Sequence, residues 1–379
     1  MRVLHLLSST GYHGAENMAA ELVRQLSISG VENYLGVFRS HEGSNTEILS
    51  AVGGLVRDGV VFQCYGRWDW RTVRALRRYL REQRIDIVHS HKYKTNLYAL
   101  IATAGLRCGL VSTCHNWLGT SMKMRLYAAL DKRILRGFDR VVGVSGEVVN
   151  ELMRYLPVER VVKIDNGADV ARFDQKLPKP QAKAALGLGA RPVLGFVGRL
   201  TADKGVSYLL QAVKLLAPHE QMDIMIIGDG DHENALRNEA DYLSIGERVH
   251  FFGKRNDTPN LYAAMDVFVL PSLKEAFPIV VLEAMASGVP VIASRVGDIP
   301  YILGESECGI LVEPGDVSGL LAAIQKLLGD QGAAQQMAFA GQQRVRSCFS
   351  SVAMARRYRE LYVDVREEQR EVGESLVKK

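Results

Sequence analysis

The stretch Ser272-Leu-Lys-Glu275-Ala-Phe277-Pro278-Ile279-Val-Val-Leu-Glu283-Ala-Met-Ala-Ser-Gly288 decides the fold. It follows Asp266-Val-Phe-Val-Leu-Pro271, which reads as a buried parallel strand. A helix starts at about Pro278, because proline is favoured in a first helical turn. Glu283 falls in that helix among Val280, Val281, Leu282, Ala284 and Met285. A carboxylate in so apolar a helix needs a partner, since burying an unpaired charge is costly. Glu275 lies in the loop just before the helix, where the dipole and free backbone N–H groups favour an anion. The stretch therefore offers two acceptors for hydroxyl groups and a seat for a phosphate, which is what a sugar nucleotide requires.

Upstream of it, the strand Pro192–Val197 runs into Gly198-Arg199-Leu-Thr-Ala-Asp-Lys204-Gly205, which opens a helix. Two cations at a strand-to-helix turn suit a diphosphate. Asp223–Gly228 and the run from Val249 to Gly253 and Lys254 are the next strands and turns. Asp229-Gly-Asp231 reads as a post-strand turn and helix cap rather than a metal-binding pair of aspartates.

The amino-terminal half alternates in the same way. Arg2 to Ser9 is a strand, and Thr10-Gly11-Tyr-His13-Gly14-Ala-Glu16 is a glycine turn opening a helix to about Ser29. Strand, glycine turn and helix form the usual phosphate-facing element of a doubly wound sheet. Further strand-like runs are Tyr34–Phe38, Val60–Cys64, Asp86–Ser90, Leu110–Cys114, Arg140–Ser145 and Val161–Asp165. Such alternation implies parallel strands with crossover helices. His115 stands at the carboxyl edge of one strand, where open parallel sheets bind ligands. His89 and His91 follow the preceding strand and are further candidates, although a lone histidine is more often structural.

The length of 379 residues exceeds one ordinary core and predicts two domains. No apolar run is long enough to span a bilayer, and the first residues lack a signal-peptide cleavage region. Five scattered cysteines suggest reduced thiols, hence a cytoplasmic protein without a disulfide frame or zinc site. Charge is uneven: residues 1–174 hold 24 Lys+Arg against 17 Asp+Glu, and the remainder 23 against 25. A basic first half suggests an anionic partner such as a membrane surface or a charged acceptor. Arg67, Arg71, Arg74, Arg78 and Arg81 form a basic helical stripe beside Trp70, Val73, Leu76 and Leu80. Lys123, Arg125, Lys132, Arg133 and Arg136 form a second basic segment. Both read either as solvated faces or as docking surfaces for anionic lipid.

The glutamate motif, with seven residues between Glu275 and Glu283 and then Gly288-Val-Pro-Val-Ile-Ala293, resembles the signature of the retaining glycosyltransferases of family 4. Gly198-Arg199-Leu, three residues and Lys204-Gly205 resemble a second motif of that family. Ile164-Asp-Asn166-Gly167-Ala-Asp169, Val296-Gly297-Asp298-Ile-Pro300 and the Gly14-Ala-Glu16 turn also fit. There are departures at His13, Asp165, Asp298 and Tyr301. The resemblance covers almost the whole chain. It is strongest over 193–316 and weakest over 30–85.

The resemblance implies an α/β chain of the GT-B fold, two Rossmann-like domains whose parallel sheets face a central cleft. The first domain would span 1–172, with a C-terminal helix from about 352 packing back on it and a frayed tail from Glu368. A linker would span 173–190, and the donor domain 191–351. The implied activity is transfer of a sugar, with retention, from a nucleoside-diphosphate sugar to an acceptor hydroxyl. Glycan, polysaccharide and lipid-linked acceptors of the cell envelope are expected, at the inner face of the membrane, with no nucleic-acid partner. Arg199 and Lys204 would hold the diphosphate and offset its growing charge. Glu283 would grip the ribose, Glu275 the donor sugar, and His115 the sugar from the opposite domain. Gly14, Lys254, Phe277, Pro278 and Ile279 would line the donor. No cofactor and no metal dependence are expected. A nucleotide-sugar epimerase, a phosphorylase and a non-catalytic sugar-nucleotide-binding subunit remain as alternatives.

Overall fold

The computed structural model describes residues 1–8, 14–39, 46–65, 68–115, 122–216, 222–255 and 257–377, the side chains of 122–125 and 372–377 excepted. The turn residues Gly11 and His13, Arg67, and the side chains of Lys123 and Arg125 lie outside the described set.

The chain divides into two compact units, Met1–Asn166 with Ser351–Lys379, and Gly167–Ser350. In chain order the first unit holds β1 (Arg2–Leu7), α1 (Gly14–Ile28), β2 (Glu32–Arg39), α2 (Glu47–Ala51), β3 (Asp58–Gln63), α3 (Trp70–Glu82), β4 (Ile87–Ser90), α4 (Tyr93–Thr103), β5 (Gly109–Cys114), α5 (Met122–Ile134), β6 (Arg140–Gly143), α6 (Gly146–Leu152) and β7 (Val161–Lys163). The second holds α7 (Val170–Asp174), α8 (Lys179–Ala185), β8 (Val193–Val197), α9 (Val206–Lys214), β9 (Asp223–Ile227), α10 (Glu233–Tyr242), β10 (Val249–Phe251), α11 (Thr258–Ala264), β11 (Val267–Leu270), α12 (Ile279–Ala286), β12 (Val291–Ser294), α13 (Ile299–Ile302), β13 (Ile310–Val312), α14 (Val317–Gly329) and α15 (Gln331–Cys348). The last helix, α16 (Ser351–Val377), belongs to the first unit.

Both sheets are wholly parallel. Their orders are β3-β2-β1-β4-β5-β6-β7 and β10-β9-β8-β11-β12-β13. Near-continuous apolar strands such as Val267-Phe-Val-Leu270 need cover on both faces, and all four of these residues are buried. The order reverses between β1 and β4 in the first unit and between β8 and β11 in the second. Open parallel sheets bind ligands at such switch points, outside the carboxyl ends of the strands. The α/β reading with two Rossmann-like domains therefore holds.

Four expectations need correction. The compact units divide after Asn166, not at 172. Residues 173–190 belong to the second unit and include α8, which is tied down because Lys179 and Lys183 both donate to Asp266, at 2.8 and 2.6 Å. The tail does not fray at Glu368. Helix α16 runs on to Val377, Arg140 pairs with Glu368, and Gln369 donates to Asp139 at 3.0 Å. Trp70 does not join the apolar stripe of α3. Val73, Leu76 and Leu80 are in the core, whereas Trp70 is 50% exposed and lies against Trp68.

Candidate active site

In the second unit, the loops after β8 and β11 flank the switch point and carry the charged candidates. The Leu273 N–H donates to the Asp203 carbonyl at 2.7 Å, which stitches the two loops together. Gly205 makes this approach possible. Its φ is +66°, and a Cβ there would lie 2.0 Å from the Pro271 carbonyl oxygen. The stitching brings Lys204 Nζ to 2.6 Å from Glu275 Oε1, and Ser272 Oγ donates to the same oxygen at 2.9 Å. Both charged side chains are largely buried, so each holds the other in place. Removing one partner of such a pair costs about 3–5 kcal/mol. Gly297 seats the Glu275 backbone from beneath: its φ is +54° and a Cβ would meet the Glu275 carbonyl oxygen at 2.3 Å.

Helix α12 starts at Ile279 with Pro278 as its N-cap and no side-chain cap. The Val281 N–H donates back to the Pro278 carbonyl at 3.2 Å, which leaves those of Ile279 and Val280 at the helix start as a seat for an anion. Glu283, one turn in, has the partner its apolar surroundings demand. Tyr262 of α11 donates its hydroxyl to Glu283 Oε2 at 2.9 Å. Burial pushes the Glu283 carboxyl up from its usual range, against the opposing pull of the Tyr262 hydrogen bond and the Arg172 charge. Arg199 is exposed after β8, with no side-chain partner among the described residues, and Lys254 is exposed after β10. Phe277 and Pro278 are buried, Phe277 against Phe349 at 5.8 Å between ring centroids, so their side chains are core rather than lining. Ile279 is half-buried. Asp231 does not cap α10, whose N-cap is His232.

The first unit has a different character. Glu16, in the first turn of α1, is buried and pairs with Lys92 Nζ at 2.6 Å. That contact spans the switch point between the segments after β1 and β4. A Cβ on Gly14 would meet nothing within 4 Å among the described residues. His115 follows β5 and its Nε2 is buried without a partner among the described residues. Burial pushes the imidazole down to about 4, against the pull of the Glu16 carboxylate, so it is neutral at physiological pH. His89 and His91 are fully buried, and the His91 and His115 rings stack at 6.3 Å.

Two family descriptions match the chain. "Glycosyltransferase Family 4" covers residues 12–172 and "Glycosyl transferases group 1" covers residues 179–344. The chain belongs to the family 4 glycosyltransferases. Among curated proteins it is 29% identical over 311 residues to the UDP-Gal:alpha-D-GlcNAc-diphosphoundecaprenol alpha-1,3-galactosyltransferase of Escherichia coli, covering 78% of this chain and 80% of that one. It is 28% identical to the N-acetyl-alpha-D-glucosaminyl L-malate synthase of Bacillus anthracis, covering 80% and 81%. Among solved structures, HepE of Anabaena in complex with UDP superposes with a TM-score of 0.84 at 22% identity, covering 96% of this chain and all of that one. That likeness is one of GT-B fold.

As a family 4 glycosyltransferase the protein is a transferase of sugar groups. Sequence reasoning named Arg199, Lys204, Glu275 and Glu283 but missed their supports. Ser272 was within reach, three residues before Glu275 in the same motif. Tyr262 gave no signal, because nothing in its own surroundings ties it to a glutamate on a later helix. Lys92 and Glu16 are likewise distant in the chain and meet only through the strand order.

Proposed function

We propose that this glycosyltransferase moves a sugar, with retention, from a nucleoside-diphosphate sugar to a hydroxyl of a lipid-linked or cell-envelope glycan. The observation that carries the donor reading is the junction of Lys204, Glu275 and Ser272 beside the open amino terminus of α12. A leaving diphosphate gains charge as the glycosidic bond breaks. Arg199, Lys204 and the first N–H groups of α12 stabilise that charge, and fixed donors and cations of this kind are a large catalytic term. Glu275, held by Lys204 and Ser272, accepts from hydroxyls of the donor sugar. Glu283, oriented by Tyr262, accepts from the ribose. His115 serves as a neutral polar group rather than a cationic one. With two cations and a helix terminus at hand, the diphosphate needs no Mg²⁺. The UDP complex of HepE and the UDP-galactose in the name of the Escherichia coli relative make UDP the first nucleotide to test.

The deciding experiment is a thermal-shift panel of UDP, GDP, ADP and their sugar conjugates, with and without Mg²⁺. Stabilisation by one nucleotide without metal supports the reading. No shift with any nucleotide sinks the diphosphate assignment.

We further propose peripheral contact with an anionic membrane through the first unit. Arg71, Arg74, Arg78 and Arg81 of α3 are exposed, and on α5 Leu126 and Leu130, one turn apart, are 70% and 46% exposed near exposed Arg133. Exposed apolar groups beside cations suit a headgroup boundary. Wild type should bind anionic vesicles at low salt and lose binding with Leu126→Asp. Equal binding of the variant removes α5 from the contact, and no binding by wild type ends the proposal. No described helix is long and apolar enough to cross a membrane.

A further inference from the structure

Three histidines of the first unit have no part in the proposed reaction. His5 lies in β1, His89 is its register partner in β4, and His91 follows β4 on the same face. One ring nitrogen from each lies within 4.8 Å of the others. The ring centroids are 4.1 Å apart for His89 and His91, 5.4 Å for His5 and His89, and 6.1 Å for His5 and His91. All three are buried.

Their hydrogen bonds fix where lone pairs remain. The Asn33 amide donates to Ser27 Oγ at 3.0 Å and to the Val31 carbonyl at 3.1 Å. Its Oδ1 is thus the atom 3.2 Å from His5 Nε2, and it can only accept. The proton therefore sits on Nε2, and His5 Nδ1 keeps a lone pair with no partner among the described residues. Neither ring nitrogen of His91 has a partner there either. His89 is occupied: Nδ1 is 2.6 Å from the Tyr362 hydroxyl and Nε2 is 2.7 Å from Thr113 Oγ1, which in turn meets the Tyr358 hydroxyl at 2.9 Å. Buried polar atoms are rarely left unpaired, and three on two neighbouring rings call for an occupant.

We propose that His5, His89 and His91 bind one divalent first-row transition-metal ion of the zinc class. His5 offers a free lone pair, His91 offers either nitrogen, and His89 joins by exchanging one hydroxyl contact for the metal. Imidazole nitrogens without a carboxylate suit zinc, nickel or copper and not magnesium or calcium. Burial lowers the proton affinity of all three rings, His5 to about 4, so the ligands are already neutral when the ion arrives. This site is within the first unit and is independent of how the diphosphate is held. Its occupation bears on α16, because Tyr358 and Tyr362 dock that helix on the sheet through His89 and Thr113.

The test uses the full chain, stripped with chelator, incubated with zinc chloride or magnesium chloride and passed through a desalting column. Metal content and melting temperature are then measured. One retained zinc per chain with a raised melting temperature, and no retained magnesium, is expected. His91→Asn and His5→Gln should lose the zinc while melting as wild type does in chelator. No retained zinc in wild type, or equal zinc in both variants, overturns the proposal. Should the variants fail to fold, cobalt(II) in wild type decides. Visible bands of nitrogen-ligated cobalt without thiolate charge transfer support the site, and thiolate bands or no bands refute it.

Discussion

The donor loops of the second unit and the histidine cluster of the first hold their polar groups in opposite ways. In the donor loops they are paired: Glu275 with Lys204 and Ser272, and Glu283 with Tyr262, all at 2.6–2.9 Å. The first unit buries neutral imidazoles and leaves nitrogens of His5, His91 and His115 without partners among the described residues. Ions fixed in this way fit the proposed diphosphate site, because binding then costs little reorganisation. A buried group without a partner does the reverse and awaits something that completes it.

The largest expected effect breaks the paired side. Glu275→Ala should lower kcat by about two to three orders of magnitude, the usual loss for one fixed polar group at a reacting centre. Undiminished turnover would remove the residue from the chemistry. Lys204→Met alone should also destabilise the fold by about 3–5 kcal/mol, because Glu275 is left charged and buried. The double variant Lys204→Met with Glu275→Gln should regain stability and remain inactive. Denaturant melts alongside turnover separate the two effects.

Tyr262→Phe is a narrower probe, since it removes the donor to Glu283 and a longer contact with the Val280 carbonyl. Nucleotide affinity should fall about tenfold, the worth of one hydrogen bond to a charged group, as read by calorimetric titration. Glu283→Gln tests the cost of that carboxylate. Burial raises its folded pKa above the unfolded value, so the folded chain holds the proton longer. Stability is then lost as pH rises through the folded pKa. The variant should melt above wild type at alkaline pH, with the gap closing as pH falls, while nucleotide binding weakens. A gap that widens toward acid would reverse the assignment. The smallest effect belongs to the C-terminal end of α16. Removing residues 368–379 should cost about 1 kcal/mol or less, because Glu368, which pairs with Arg140, is itself about half exposed.

The alternation of strands and helices was legible in the amino-acid sequence, as were the charged residues proposed to meet the donor. Apolar runs such as Val193–Val197 and Val267–Leu270 cannot be read as anything but buried strands. Arg199, Lys204, Glu275 and Glu283 sit in short local motifs whose chemistry depends on neighbours a few residues away. The linker and the frayed tail were misread for one reason. Residues 173–190 and 368–377 are locally polar, and what orders them is long-range: Asp266 gathers Lys179 and Lys183, while Arg140 and Asp139 hold α16. Trp70 was misread because periodicity tells which residues share a face, not where the layer above ends. Which side chains meet follows from the long-range packing. Tyr262 meets Glu283, Lys92 meets Glu16, and His5, His89 and His91 converge, because parallel strand order brings together segments that the chain itself keeps far apart.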